Sequence, residues 1–375
     1  MKPLQKFKIE TPQSILNDLH SRIDNTRWPD QLPGTGWDYG VPTDYIKNLA
    51  NYWRHKYDWR KWEARINQYP QYIAEIDGQK IHFLHVISPE PSATPIIVTH
   101  GWPGSIVEFL DVIEPLSNPR AYGGDPSDAF HLVIPSLPGY GFSGPTNETG
   151  WNIHRIAKAW AALMAQLGYT RYGAVGNDAG SMISPEIGRI DPDHVIGIHV
   201  TQIFSFPSGD PSEFANLTPE EQQQLETLQW FYNNKMSFNT LWSQQPQTIA
   251  FALQDSPVGL LAWMAQLFGE DLDEDFILTN VMLYWLTGTA ASSGRLYYEN
   301  AHATPPKEPT TLPIAVAACA GDFSGIRRFA NRDHKNIVRW SQHDRGGHFA
   351  AHKVPDHMVG DIREFFASLR VPVGA

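Results

Sequence analysis

The pattern of apolar and polar residues changes character three times along the chain. Ile15, Leu16, Leu19 and Ile23 recur at helical spacing after Thr11-Pro12, which reads as an N-cap followed by proline at the first helical position. A Pro- and Gly-rich meander from Trp28 to Pro42 leads to a second helical pattern with Tyr45, Leu49, Tyr52 and Trp53. From Tyr72 the period shortens. Tyr72–Ile76 and Lys80–Val86 flank Asp77-Gly78, a pair suited to a tight primed turn, and predict a β-hairpin. Pro95–Thr99 is a short apolar run, as expected of a strand covered on both faces. Helix and strand patterns then alternate: helix Ile106–Leu116, strand His131–Pro135, helix Ile153–Leu167, strand Tyr172–Val175, a helix from Ala179, and strand Val195–Val200. Such alternation predicts a mostly parallel sheet with helices on both faces. It stops after Val200. Phe204 to Pro306 reads as helices and loops rich in aromatics, and strands Leu312–Cys319 and Ile337–Trp340 and a helix Pro355–Leu369 close the chain.

Four segments follow. Residues 1–70 form an N-terminal extension whose Trp28, Trp37, Trp53, Trp59 and Trp62 make it too apolar to stand free, so it is expected to pack on the core. Residues 71–203 and 309–375 are the two parts of one α/β core, and 204–308 are a helical cap inserted between them. The insertion falls beside the C-terminal ends of the strands, where open α/β sheets bind ligands.

Charge and composition narrow the partners. With 29 basic against 40 acidic residues the net charge is −11, and no long basic run is present, which disfavours nucleic acid and anionic membrane surfaces. The single cysteine, Cys319, excludes an intramolecular disulfide and a multi-cysteine zinc site. No stretch approaches the ~20 apolar residues of a membrane span, and the first ten residues lack the apolar stretch of a signal peptide. A soluble, cytoplasmic protein without a membrane anchor is the expectation. A homo-oligomer is allowed but not specified.

Four turns carry candidate chemistry. Gly176-Asn177-Asp178-Ala179-Gly180 lies between a strand and a helix and has the small-x-nucleophile-x-small arrangement of a nucleophile elbow, with Asp178 at its apex. A carboxylate is already ionised at neutral pH and attacks without a base to deprotonate it. By itself the turn is better read as an ordinary N-cap aspartate, because such turns are common. His100-Gly101-Trp102-Pro103-Gly104 follows the buried strand Pro95–Thr99 and can aim the Trp102 N–H, with that of Ala179, into an oxyanion hole. Arg345-Gly346-Gly347-His348-Phe349 places His348 on the loop after the last strand, where a hydrolase keeps its base. Asp322, just past strand Leu312–Cys319, is placed to orient that imidazole. A metal reading of His343, His348, His352 and His357 is weaker, because no HExxH glutamate is present and Gly346-Gly347 interrupts a helix. The order Asp178, Asp322, His348 is that of an α/β-hydrolase, and the four turns together are far more specific than any one.

An aspartate nucleophile suits attack on saturated carbon, as in an epoxide or a haloalkane. An epoxide oxygen needs a proton donor as the ring opens, and Tyr297, Tyr298, Tyr232 and Tyr284 are on offer in the cap segment. For any one of them taken singly, an ordinary aromatic core residue is the default reading.

At this point the chain resembles the microsomal-type epoxide hydrolases, which include the juvenile-hormone epoxide hydrolases and soluble microbial relatives. The likeness spans nearly the whole chain: Thr26-Arg27-Trp28-Pro29-Asp30, Tyr57-Asp58-Trp59-Arg60, His100 to Ser105, Pro138-Gly139-Tyr140-Gly141-Phe142-Ser143, Asp255 to Leu260 and Arg345 to Ala351. The resemblance implies an α/β-hydrolase fold with an N-terminal extension and a cap, and a cofactor-free and metal-free hydrolysis of a small hydrophobic epoxide by water to a vicinal diol. It also implies that Asp178 is the nucleophile, His348 the water-activating base, Asp322 its supporting carboxylate and Tyr297 one of two cap tyrosines on the epoxide oxygen. Two positions depart from the family pattern. Phe238 stands where the second tyrosine belongs, with Tyr232 as a stand-in, and Ala179 stands where tryptophan is frequent. Losing one donor is worth about 1–3 kcal/mol of transition-state stabilisation. These departures keep two alternatives open: another hydrolase of this fold (a dehalogenase, or an ester or lactone hydrolase) and a non-catalytic ligand-binding relative.

Overall fold

The computed structural model describes residues 4–370. The outermost residues of the expected extension and of the second core part, 1–3 and 371–375, lie outside them. Nine strands form one sheet: β1 (Gln5–Phe7), β2 (Gln71–Ile76), β3 (Gln79–Val86), β4 (Thr94–Thr99), β5 (Phe130–Pro135), β6 (Tyr172–Gly176), β7 (Val195–Val200), β8 (Ile314–Cys319) and β9 (Ile337–His343). Their order is β1-β2-β3-β5-β4-β6-β7-β8-β9. The β1, β2, β3 and β5 pairings are antiparallel, and from β5 onward all are parallel. The β2–β3 hairpin turns on Asp77 (φ 51°) and Gly78 (φ 74°), both in the left-handed region that a primed turn requires. β4 and β6 lie in the middle of the sheet, and Ile96, Ile97, Val98, Ala174 and Val175 are buried there. Their ends carry the Trp102 and Asp178 turns side by side, because Thr99 pairs with Gly176.

Local differences from the sequence reading have physical causes. The first helix runs Gln13–Asp24 without a side-chain cap. Thr11 is not its cap: its N–H donates to Glu63 Oε1, and its hydroxyl accepts from Trp59 Nε1 at 2.9 Å. The Ile106–Leu116 stretch is a 3-10 turn, Ile106–Phe109, running into helix Leu110–Ser117. Strand β1 has no signature in the sequence, since three residues, two exposed and one half-buried, give no usable alternation.

The extension packs on the cap as well as on the core. Trp53 Nε1 donates to Met282 Sδ, the Tyr57 hydroxyl meets Thr279 Oγ1 at 2.9 Å, and the Tyr52 hydroxyl donates to Asp275. All three partners lie on the cap helix Glu274–Thr287. Trp53, Trp59 and Trp62 are buried, but Trp28 stays 38% exposed. The cap consists of helices between β7 and β8, and its helix Arg295–Ala301 carries Tyr297. Among the described residues no helix is long and apolar enough to cross a membrane.

Candidate active site

Asp178 heads the helix Ala179–Ile190 with φ 52° and ψ −118°. A non-glycine residue held at positive φ is costly and persists only where its surroundings impose it. Here the turn is over-determined. A Cβ on Gly176 would strike the Gly180 carbonyl, and one on Gly180 the Thr99 carbonyl, so the small residues flanking the apex are sterically required. The Asp178 N–H donates to Gln202 Oε1 at 2.8 Å. Its Oδ1 accepts from the Trp102 N–H at 3.0 Å, and the Ala179 N–H also reaches the carboxylate. Gly101 has no side chain for a reason: a Cβ there would fall on the Asp178 carboxylate.

The remaining turns converge on the same point. His348 Nε2 stands 3.8 Å from Asp178 Oδ2, and its Nδ1 is 3.0 Å from Asp322 Oδ1. The other Asp322 oxygen accepts from Gln202 Nε2. Burial disfavours the His348 imidazolium, but the charge and hydrogen bond of Asp322, then the charges of Asp178 and Glu108, outweigh it and raise its pKa to about 9. Burial likewise disfavours the Asp322 carboxylate, yet His348 and the Gln202 amide hold it below the ordinary range. Burial pushes Asp178 up, against the pull of His348 and of the Trp102 and Ala179 N–H groups.

Above this polar floor the cap supplies aromatics. Phe238 stacks on Trp102 with ring centroids 5.4 Å apart, and Tyr297 meets Phe238 edge-on at 5.9 Å and Trp242 at 5.1 Å. Burial, then the Asp178 charge, raises the Tyr297 phenol well above its usual pKa, so it stays protonated and able to donate at neutral pH. The structure therefore brings together Asp178, Asp322, His348, Trp102, Ala179, Tyr297 and Phe238. It does not bring Tyr232 with them: that side chain is 65% exposed on the helix Pro219–Lys235, none of whose residues is buried. The helix carries its aromatics consecutively, as Trp230-Phe231-Tyr232, so no single face can bury them all.

The four histidines grouped in the sequence have separate partners. His343 faces Asp361, His357 lies near Arg345, and His348 joins Asp322. His352 is held between Asp111 at 2.7 Å and Asp273 at 2.8 Å and stacks on Phe276 at 4.1 Å. Asp273 caps the cap helix Glu274–Thr287, and Asp111, on the core, also accepts from Arg65 of the extension. Burial opposes protonation of His352, but its two carboxylates raise its pKa to about 9.

Two residues at the site escape sequence reasoning. Gln202, just past β7, accepts from Asp178 N–H and Ser181 and donates to Asn177 and Asp322. Glu108 is buried beneath the Trp102 turn with Oε1 accepting from Asn177 at 3.2 Å and Oε2 unpaired. Burial pushes Glu108 up to about 8, against the His348 charge and the Asn177 hydrogen bond. A lone glutamate inside the apolar run Ile106-Val107-Glu108-Phe109-Leu110 is the signal that could have flagged it.

A central parallel sheet, a strained aspartate turn after β6, an acid after β8, a histidine after β9 and an inserted helical lid define a hydrolase of the α/β-hydrolase class. Comparison with known proteins agrees and goes further. The chain matches the family described as "Epoxide hydrolase N terminus" over residues 4–109 and that described as "alpha/beta hydrolase fold" over residues 94–258. It is 42% identical to a Stigmatella aurantiaca protein provisionally named an epoxide hydrolase, over 97% of this chain and 85% of that one. It is 32% identical to epoxide hydrolase 1 of Sus scrofa, over 98% of this chain and 89% of that one. The juvenile hormone epoxide hydrolase of Bombyx mori superimposes with a TM-score of 0.90 at 26% identity, covering 99% of this chain and 95% of the other. The chain belongs to the epoxide hydrolase family, enzymes that hydrolyse an ether bond.

Proposed function

We propose that the chain opens an epoxide through a covalent ester on Asp178 and then hydrolyses that ester to release a vicinal diol. One observation carries this reading: Asp178 Oδ1 rests on the Trp102 N–H at 3.0 Å while Oδ2 faces His348 Nε2 at 3.8 Å. One oxygen is thus held where an oxyanion would form, and the other is turned toward the base. An Asp178 oxygen bonds to an epoxide carbon, the C–O bond breaks, and its electron pair stays on oxygen. Tyr297 donates a hydrogen bond and then a proton to that oxygen. The second step uses a change in charge. Esterified Asp178 is neutral, so His348 loses one of the charges that raise its pKa; the pKa falls, the ring releases its proton to solvent, and its Nε2 becomes free to accept one from water. It takes a proton from water, whose oxygen adds to the Asp178 carbonyl carbon, and the Trp102 and Ala179 N–H groups receive the negative oxygen. Collapse breaks the bond between that carbon and the alkyl oxygen, which takes the proton from His348. The acid proton left on Asp178 restores the tyrosine.

Phe238, Trp242 and Tyr297 pack around Trp102, whose N–H meets the carboxylate, and bring hydrocarbon rather than charge, which favours a hydrophobic epoxide. The test is a single turnover in water enriched with heavy oxygen. The isotope is expected in the Asp178 peptide after the first cycle, with unlabelled diol. Labelled diol from the first turnover, with an unlabelled peptide, means that water attacked the epoxide directly and defeats the proposal.

A further inference from the structure

Replacement of the second cap tyrosine by Phe238 leaves one cap phenol over Asp178, and the core side of the pocket offers another. Tyr140 lies in the loop after β5, 1% exposed, and its hydroxyl has no hydrogen-bond partner among the described residues. Burying a phenol without a partner is costly, and buried tyrosines ordinarily find one. Its polar neighbours are already engaged. The His100 ring lies 5.8 Å away with Nε2 bound by the Leu137 N–H, and the Tyr284 ring lies 5.9 Å away with its hydroxyl donating to the Gly104 carbonyl at 2.6 Å.

The loop is fixed to the part of the cap that carries Tyr297. The Gly141 N–H donates to Thr289 Oγ1 at 3.0 Å, and Ser292 Oγ donates to the Gly139 carbonyl at 2.5 Å. Both neighbours of Tyr140 are therefore pinned to a segment that runs directly into the Tyr297 helix. The two phenols and the nucleophile also share one field. Burial, then the Asp178 charge, opposes ionisation of Tyr140, and burial, then Asp178 and Tyr140, opposes that of Tyr297. Phe238 offers no hydroxyl to this space, whereas Tyr140 has one unused.

We propose that Tyr140 is a second donor to the epoxide oxygen, working from the core side in place of the hydroxyl absent at Phe238. The inference rests on the epoxide reading above. As the ring C–O bond breaks and its pair collects on oxygen, Tyr297 and Tyr140 both donate hydrogen bonds, and one of them gives up the proton. The alkoxide leaves Tyr140 with the partner it lacks in the resting enzyme, so the interaction is made only during reaction and is fully available to lower the barrier.

Tyr140→Phe, Phe238→Tyr and the double variant, mixed rapidly with styrene oxide and quenched for mass spectrometry of the Asp178 peptide, test this. Tyr140→Phe is expected to slow ester formation by about tenfold to a hundredfold, the effect of one lost donor, with ester hydrolysis changed less than about twofold and Tm not lowered. Phe238→Tyr is expected to speed Tyr140→Phe by a larger factor than it speeds the wild type. Ester formation at the wild-type rate in Tyr140→Phe overturns the proposal. So does equal acceleration of both backgrounds by Phe238→Tyr, or a lowered Tm with both chemical steps slowed alike, which marks a packing role. Absence of any ester in the wild type defeats the epoxide mechanism itself and is distinguished by that control.

Discussion

The two halves of the site handle chemistry in opposite ways. On the core side, hydrogen bonds hold Asp178 in place: Gln202 alone links the Asp178 N–H, Ser181, Asn177 and Asp322. On the cap side, Phe238, Trp242 and Tyr297 meet Trp102 through ring faces and edges, with a phenol as the polar tip. The core half fixes charge, and its geometry tolerates little change. The cap half fixes shape through ring contacts, and Phe238 sits in it without touching the Asp322–His348 pair. The two positions at which the resemblance implies a departure fall accordingly: Phe238 lies on the cap, and Ala179 offers the Asp178 carboxylate its backbone N–H.

Changes on the core side should therefore cost most. Asp178→Asn is expected to lower turnover by at least about 10⁴-fold, the scale at which losing one member of a concerted triad is felt. It should also lower the His348 pKa from about 9, since one raising charge is gone; imidazole titration by NMR reads this, and an unmoved pKa contradicts the pairing. His348→Gln should leave ester formation in place and block its hydrolysis, so the adduct accumulates to one per chain in a quenched sample. An empty Asp178 peptide in that variant would place His348 in the first step instead. Gln202→Leu removes the amide that orients Asp322 and should slow ester hydrolysis by about ten- to a hundredfold, with a smaller effect on ester formation. Equal slowing of the two steps would mean that Gln202 serves the elbow rather than the acid.

The smallest effect is expected where core, cap and extension meet. The folded pKa of His352 is raised to about 9, so its stabilising contribution is complete below the unfolded value of about 6.5 and fades as pH climbs through about 9. The wild-type Tm should thus fall more steeply than that of His352→Gln between about pH 6 and about pH 9.5. Parallel slopes would remove His352 from the coupling of cap to core.

Much of the core half was legible in the sequence because its signals are local. A sharp turn between strand and helix needs Gly176 and Gly180, and an apolar run such as Ile96-Ile97-Val98 marks a strand covered on both faces. Asp178, Asp322 and His348 each sit within a few residues of such a signal. The family assignment, the fold class and the hydrolase activity are all borne out. What escaped depends on neighbours distant in sequence. Gln202 is an unremarked polar residue after β7 until the fold carries Asp322 to it, and Glu108 reads as a mere break in an apolar helix. Tyr232 shows the converse: residue type and proximity to Phe238 in sequence suggested a donor, but the helix carrying it turns it to solvent. Thr11 has an N-cap's identity, yet Trp59 claims its hydroxyl.

Insertion of the cap between β7 and β8 also sets the order in which the site is assembled during synthesis. The ribosome releases Asp178, its elbow and the entire lid before it makes Asp322 or His348, and pairing of Ile198 with Ile314 must wait for the strand beyond the lid. Until then the nascent polypeptide holds Asp178 without the Asp322–His348 pair that faces it in the finished fold, so closing the sheet and completing the site are one event.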